Sequence, residues 1–376
     1  MTDPGRLTRM DEYPRHQVGG TFDSVVSDSI HWNDGFYFTL GDEATGVTLF
    51  AALRLYPNTD VMDGFACVTV DGRQHNVRWS RRLRPAIDDL TVGSLRLDIV
   101  EPLMRLRLSC ADNDHGVAFD LDWQGLHEPY LEDRIVRYSG GRKVYDRTNF
   151  DQCCAVTGTI TVAGRTFDVT PDTWVGVRDH SWGLGRTGGP VASSIAPDGS
   201  RDPRRGFAMR QWTMVRMPDR VMFWQFHQQP DGSFDAPESI VIPLDTTKPR
   251  WSYVDVSSAD ATRVDGLPRA QSCRVAFTRP DGGIDRYELT PVGWPAYLQG
   301  GGYHDGFADR LGRGVYRGDD HVEGEVWDVT HPIEVGDPAG WFRNRPDAWA
   351  EHFATCINLD DPDDRGFGHL ECVLAP

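Results

Sequence analysis

Acid, imidazole, hydroxyl and indole stand side by side at Asp179-His180-Ser181-Trp182, between Arg178 and Gly183. They directly follow a strand-like apolar run, Thr173-Trp174-Val175-Gly176-Val177. A carboxylic acid at the end of such a strand can be desolvated, so its neutral, proton-donating form persists near pH 7. An indole can stabilise a developing cation through its π face. Together they suit protonation of an apolar molecule. If the run stays extended through Gly183, Trp174, Arg178, His180 and Trp182 share one face, and Val175, Val177, Asp179 and Ser181 the other. Asp179 then stands among valines, which raises its pKa, while an Arg178 or His180 cation nearby pulls the other way. The plain alternative is that Asp179 caps a turn and His180 bonds backbone. Alternation also separates Asp179 from Trp182: either the strand breaks at Asp179, or one of the two lies outside the site.

The elements that must position this set are strands. Ala66 to Val70 and Arg73 to Trp79 flank Asp71-Gly72, the two-residue signature of a tight hairpin. Gly158 to Val162 and Arg165 to Val169 flank Ala163-Gly164 in the same way. Cys273 to Thr278 and Ile284 to Thr290 turn at Pro280 to Gly283, and Met209 to Met217 meets Val221 to His227 at Pro218-Asp219. Gly46 to Leu55 and Gly116 to Trp123 add strands, and Pro346 to Phe353 is the best short helix candidate. The hairpin pattern recurs loosely, at a level any antiparallel protein can show. Many short strands with Gly and Pro punctuation indicate an all-β barrel or sandwich. The aperiodic stretch Leu184 to Arg205 is long enough to be a linker or lid. It divides an N-terminal β domain over residues 1–185 from a C-terminal one over 206–376, with 186–205 between them.

Composition narrows the partners. A formal net charge of −17 argues against nucleic acid or an anionic membrane. No apolar run approaches the roughly 20 residues that cross a bilayer, and the N-terminus, Met1 to Arg6, lacks a signal-peptide core. A cytoplasmic protein is expected. Seven scattered cysteines without CxxC spacing imply neither a disulfide framework nor zinc. Cys153 and Cys154 are adjacent, so on a strand they point to opposite faces. Twelve tryptophans fit a wide core or an aromatic-lined interior equally well.

Several chemistries lack their signatures. Gly183 to Gly188 matches GxGxxG, but Gly189-Pro190 follows where a dinucleotide site needs a helix. His304-Asp305, His321, Asp328 and His331 show no HxH or HExxH spacing. Ser181 lacks the glycines of a nucleophile elbow. No metal or cofactor is expected.

The segment Gly176 to Gly183, "GVRDHSWG", resembles the motif of the carotenoid hydratase (hydroxyneurosporene synthase) and AttH-like superfamily. "HWNDGFYF" at 31–38, Glu101-Pro102-Leu103 and the run from Asp146 to Val169 resemble the same superfamily, so the likeness spans most of residues 30 to 190. It implies two lipocalin-like antiparallel β domains packed together, an apolar ligand, and a carboxylic acid that protonates an alkene. By matched position Asp179 is that acid. Relatives include hydratases of isoprenoid double bonds, cyclases acting on polyenes, and proteins without assigned activity.

A hydratase needs a proton donor, surroundings that tolerate a tertiary cation, and a positioned water. Asp179 is the candidate donor, with His180 to orient or relay the proton. Trp182, Trp174, Trp212, Trp224 and Phe226 are candidates for holding the cation. Gln225 and His227 put polar groups on a strand face shared with Val221 and Phe223, and Tyr145 and Asp151 are further candidates for the substrate site. Glu325, in Glu323 to Asp328, could partner Asp179 as base. Ordinary core packing for each aromatic, a surface position for His227 and a solvated edge for Glu325 are the plain alternatives. The expected function is a cofactor-independent hydratase or dehydratase of a terpene-like substrate. A cyclase or isomerase using the same acid, or a non-catalytic carrier of an apolar ligand, remains open. The expected partner is a small apolar molecule, with a homo-oligomer compatible with the sequence.

Overall fold

A computed structural model describes residues 7, 9–14, 16, 19–139, 141–185, 207–264, 267, 269–303, 306–330 and 350–374. The first half runs through β1 (Trp32–Asp42), β2 (Thr48–Tyr56), β3 (Val61–Val70), β4 (Arg73–Arg82), β5 (Thr91–Val92), β6 (Leu95–Glu101) and β7 (Arg105–Cys110). It continues with β8 (Val117–Gly125), β9 (Tyr130–Leu131), β10 (Ile135–Ser139), β11 (Arg142–Val162), β12 (Arg165–Val169) and β13 (Trp174–Leu184). After residue 206 come β14 (Met209–Arg216), β15 (Arg220–Gln228), β16 (Phe234–Pro243), β17 (Asp255–Arg263), β18 (Ala270–Thr278) and β19 (Ile284–Tyr297). The last strands are β20 (His321–Asp328), β21 (Ala350–Asn358) and β22 (Asp361–Leu374). The fold is all-β, as expected. Fourteen strands form one antiparallel sheet, with the order β20-β4-β3-β2-β1-β13-β11-β8-β7-β6-β5 along its main path. The other sheet has eight strands, β16-β15-β14-β22-β21-β19-β18-β17.

Local chemistry explains the tight turns. Val70 pairs with Arg73 across Asp71-Gly72, and Val162 with Arg165 across Ala163-Gly164. Both central residues of each turn have positive φ, the geometry whose twist matches that of the flanking strands. The other hairpins fall as expected, at β14–β15 and β18–β19. The short helix expected over Pro346 to Phe353 is corrected where it is described: Ala350 onward is β21, with Phe353 facing the space between the sheets and Ala354 and Cys356 the second core. Residues 186–205, proposed as linker or lid, lie outside the described residues, as do His304, Asp305 and His331.

Three large apolar clusters follow from strand alternation, beside a small one of Tyr297, Trp327, Val329 and Ala350. One fills the first sheet's concave side, with Phe38, Leu49, Ala51, Trp79, Trp123, Cys154 and Trp174. A second fills the other sheet, with Trp224, Phe226, Phe277 and Leu370. The third lies between the two sheets, where Tyr37, Phe50, Cys153, Val175 and Val177 meet Trp212, Met214, Phe223 and Phe353. Cys153 and Cys154 thus enter different cores. The division at residues 186–205 is incomplete in one respect. β20, inside the range expected for the second domain, pairs with β4 of the first sheet.

Candidate functional site

β13 stays extended through Leu184, so the alternation read from its sequence holds on both sides of Asp179. Val175, Val177 and Asp179 face the second sheet, whereas Trp174 enters the first core. Asp179 lies opposite Asp151 of β11 and Tyr37 of β1 in the strand register. Such cross-strand neighbours stand about 5 Å apart, close enough for their side chains to interact. Four carboxyl groups gather there: Asp151, Asp179, Glu132 and Glu238.

Asp151 is fully buried, and among the described residues no hydrogen-bond donor reaches either of its oxygens. Burial, and then the adjacent Glu132, hold its carboxyl well above the ordinary range, with Asp179 and Glu238 adding to the effect. Glu132, by contrast, is well supplied with donors. It accepts hydrogen bonds from Trp212 Nε1 (3.0 Å), Gln225 Nε2 (2.9 Å) and Asn149 Nδ2 (3.1 Å). Burial beside other carboxyls thus favours the neutral, proton-bearing form of Asp151. Glu238 takes the Tyr130 hydroxyl (2.6 Å), the Asp133 N–H (3.0 Å) and Gln225 Nε2 (2.7 Å). Burial nonetheless raises its pKa.

Aromatic and polar groups close the space around these acids. The Trp212 ring lies 5.1 Å from His369 and 5.5 Å from Phe223, which is 5.6 Å from Tyr130. The Tyr37 hydroxyl donates to Glu351 (2.6 Å), which also contacts His369 Nε2 (2.9 Å). Burial and the Glu351 charge push the Tyr37 phenol far up, so it stays protonated.

Of the residues singled out in the sequence, the structure gathers Asp179, Asp151 and Trp212 at this interface. His180 and Trp182 face the other side of the sheet, which corrects their joint role with Asp179. There His180 contacts Asp34 (2.8 Å) and packs on Phe36, Phe150 and Trp182, with ring centroids 4.1, 5.2 and 5.5 Å away. The physical reason is the unbroken strand. Trp174 is corrected to the first core, and Trp224 and Phe226 to the second; Trp224 Nε1 donates to Gln211 (2.9 Å). Tyr145 packs beside Gly185, six residues along β11 from Asp151, about 20 Å away. His227 stands against Phe207 beyond an irregularity in the β15–β16 register, away from Gln225. Glu325 is corrected too. It is bound to Arg78 at 2.6 Å, with four strands between it and β13.

Sequence reasoning missed Glu132, Tyr130, Glu238, Tyr37, Glu351 and His369. Glu132 had a usable signal in "HEPYLED", where an acid follows a Pro-broken turn just before β11. The others become visible only through pairing between the two sheets. Among the described residues, no group of three or more His, Cys, Asp or Glu side chains is placed to hold a metal ion. No helix among them is long and apolar enough to cross a membrane.

A model of a family of unknown function, DUF8625, matches residues 7–373. The chain belongs to DUF8625. No curated protein matches it. Among solved structures, this DUF8625 chain is similar to the AttH candidate NE1406 from Nitrosomonas europaea, at 12% identity and a TM-score of 0.54. That match covers 91% of this chain and 92% of the other. CghA is similar at 11% identity and a TM-score of 0.52, over 92% of this chain and 89% of its own. Kievitone hydratase from Nectria haematococca aligns at 11% identity and a TM-score of 0.48, over 99% and 97%. At these identities the likeness of the DUF8625 chain to the AttH candidate and to CghA is one of fold alone.

Proposed function

We propose that this protein is a cofactor-independent enzyme that protonates a carbon–carbon double bond of an apolar, terpene-like molecule held between its two sheets. The observation that carries the reading is Asp151: it is fully buried, no donor among the described residues reaches its oxygens, and burial with the adjacent Glu132 holds its carboxyl well above the ordinary range. The Asp151 O–H breaks as the alkene π pair takes its proton, forming a C–H bond and leaving a cation at the neighbouring carbon. The faces of Trp212, Phe223 and Tyr130 stabilise that cation without bonding to it. Water then adds at the cation and gives up a proton to Asp179, which returns it to Asp151 on the adjoining strand. The net change is addition of water, and the reverse is dehydration. A CghA structure holds the small molecule Sch210972, which supports this fold as a small-molecule container.

The test is incubation with a panel of isoprenoid alkenes in deuterated water, followed by mass spectrometry. Deuterium at carbon with a gained water is the expected result. Deuterium exchanged without added water identifies a cyclase or isomerase, in which an internal alkene replaces water. Binding without incorporation identifies a carrier and overturns the enzymatic reading.

A further inference from the structure

The second sheet curls so that strands distant in its order meet. β21 and β19 lie between β22 and β18 in that order, yet a backbone bridge from Arg269 to Val373 brings the start of β18 onto the end of β22. Inside this seam the sulfurs of Cys273, on β18, and Cys372, on β22, stand 3.3 Å apart. Both are buried, in the same apolar core as Ala270 and Leu374. The two lie 99 residues apart in the chain, with no spacing motif to mark them. Cys153 and Cys154 are the reverse case, adjacent in sequence and placed in different cores.

We propose that Cys273 and Cys372 are a site of reversible oxidation, forming a disulfide that locks β18 to β22 when the protein meets a peroxide. A disulfide holds its sulfurs about 2.0 Å apart, so the pair has roughly 1.3 Å to close. The oxidant must be small, because both side chains are buried. Contact with Cys273, and then burial, push the Cys372 thiol far up, so it stays protonated and is the poorer nucleophile. The first step therefore falls to Cys273. Its sulfur attacks one oxygen of hydrogen peroxide, the O–O bond breaks, and a sulfenic acid and water form. The Cys372 sulfur then attacks the sulfenic sulfur: the S–S bond forms, the S–O bond breaks, and hydroxide leaves with the thiol proton as a second water. Two thiols give up two electrons in all, and the peroxide O–O bond takes them. An added dithiol reverses the step by thiol–disulfide exchange. The bridge turns a seam with one isolated backbone pair into a covalent closure of the second core. It stands apart from the catalytic reading, and deuterium transfer does not test it.

The experiment treats the folded full chain, freed of reductant, with excess hydrogen peroxide and then removes the peroxide with catalase. The protein is unfolded, its remaining thiols are alkylated with iodoacetamide, and mass spectrometry counts the alkyl groups. Untreated protein should carry seven and treated protein five, with a peptide cross-linked between Cys273 and Cys372. The oxidised protein should also melt about 5 °C or more above the reduced one, because closing so long a loop strongly constrains the unfolded chain. Dithiothreitol should restore both the count and the lower melting temperature; it leaves methionine sulfoxide untouched, so side oxidation cannot imitate the result. Cys273→Ser should give neither the cross-link nor the reversible rise. The comparison of oxidised with reduced wild type needs no variant to fold. Seven alkyl groups after peroxide, a bridge between other cysteines, or a sulfinic acid at Cys273 without a bridge would each overturn the proposal. A bridge that leaves the melting temperature unchanged would overturn the lock.

Discussion

Asp151 and Glu132 show how two neighbouring buried carboxyls can meet different hydrogen-bonding surroundings. Both are buried, yet donors crowd Glu132 and avoid Asp151, and burial beside Glu132 favours the neutral form of Asp151. Replacing Asp151 by Asn should lower deuterium transfer about 10²- to 10⁴-fold, the usual worth of a general acid, while leaving the protein folded. The same substitution carries a stability signature. Because the folded pKa of Asp151 is raised, its contribution is fully present below the unfolded value near 3.8 and is lost as pH rises through the folded value. Asn cannot ionise. The Asp151→Asn protein should therefore melt above wild type at pH 8, with the gap closing towards pH 4, as read by thermal unfolding across that range. A wild type that melts higher at pH 8 would mean Asp151 is ionised and paired.

The β9 segment delivers three of the site's groups, Tyr130, Glu132 and the Asp133 N–H, from only two strand residues and their flanks. What pins it is the turn before it. His127 accepts the Cys153 N–H at Nε2 (3.1 Å) and donates from Nδ1 to the Glu128 carbonyl (2.7 Å), which requires the neutral ring. Burial pushes its pKa down to about 4. Stability from this group is present above pH 6.5 and is lost as pH falls through about 4, a difference of about 3 kcal/mol. His127→Gln should flatten the acid side of the stability profile between those values in denaturant titrations. An unchanged slope would assign the acid sensitivity to other groups, such as His352. Strand-scale features were legible in the sequence: the Asp71-Gly72 and Ala163-Gly164 hairpins, and the alternation that puts Asp179 with Val175 and Val177. Asp151 and Trp212 were legible as candidates. Their meeting was not, because it depends on β9 inserting beside β11 and on β14 and β15 crossing over from the other sheet. The pull of the motif towards His180 and Trp182 misled for a simple reason. Sequence adjacency on a strand places neighbours on opposite faces.

At the scale of the molecule, the two halves are tied twice, once through the shared apolar layer and once through β20. Arg78, buried on β4, reaches Glu325 (2.6 Å) and Glu323 (3.0 Å) on β20 and the Gly300 carbonyl (2.6 Å). Arg78→Met leaves these acids without their cation, and breaking such a buried pair should cost about 3 kcal/mol in urea unfolding. If the variant matched wild type, β20 would be held by its backbone ladder alone. Residues 1–206 expressed without the rest should leave β4 uncovered and self-associate, which sedimentation can detect.

The same strand sets a timetable for the nascent chain. Arg78 and Glu323 are 245 residues apart in sequence. At about 5–20 residues per second of synthesis, β4 emerges roughly 12–50 s before the strand that completes its sheet. Throughout that interval its free edge offers a row of unpaired peptide groups to any other chain on the ribosome's surface. Folding of this protein is therefore a matter of waiting as well as packing, and its yield in the cell should depend on how well that edge is chaperoned until β20 arrives.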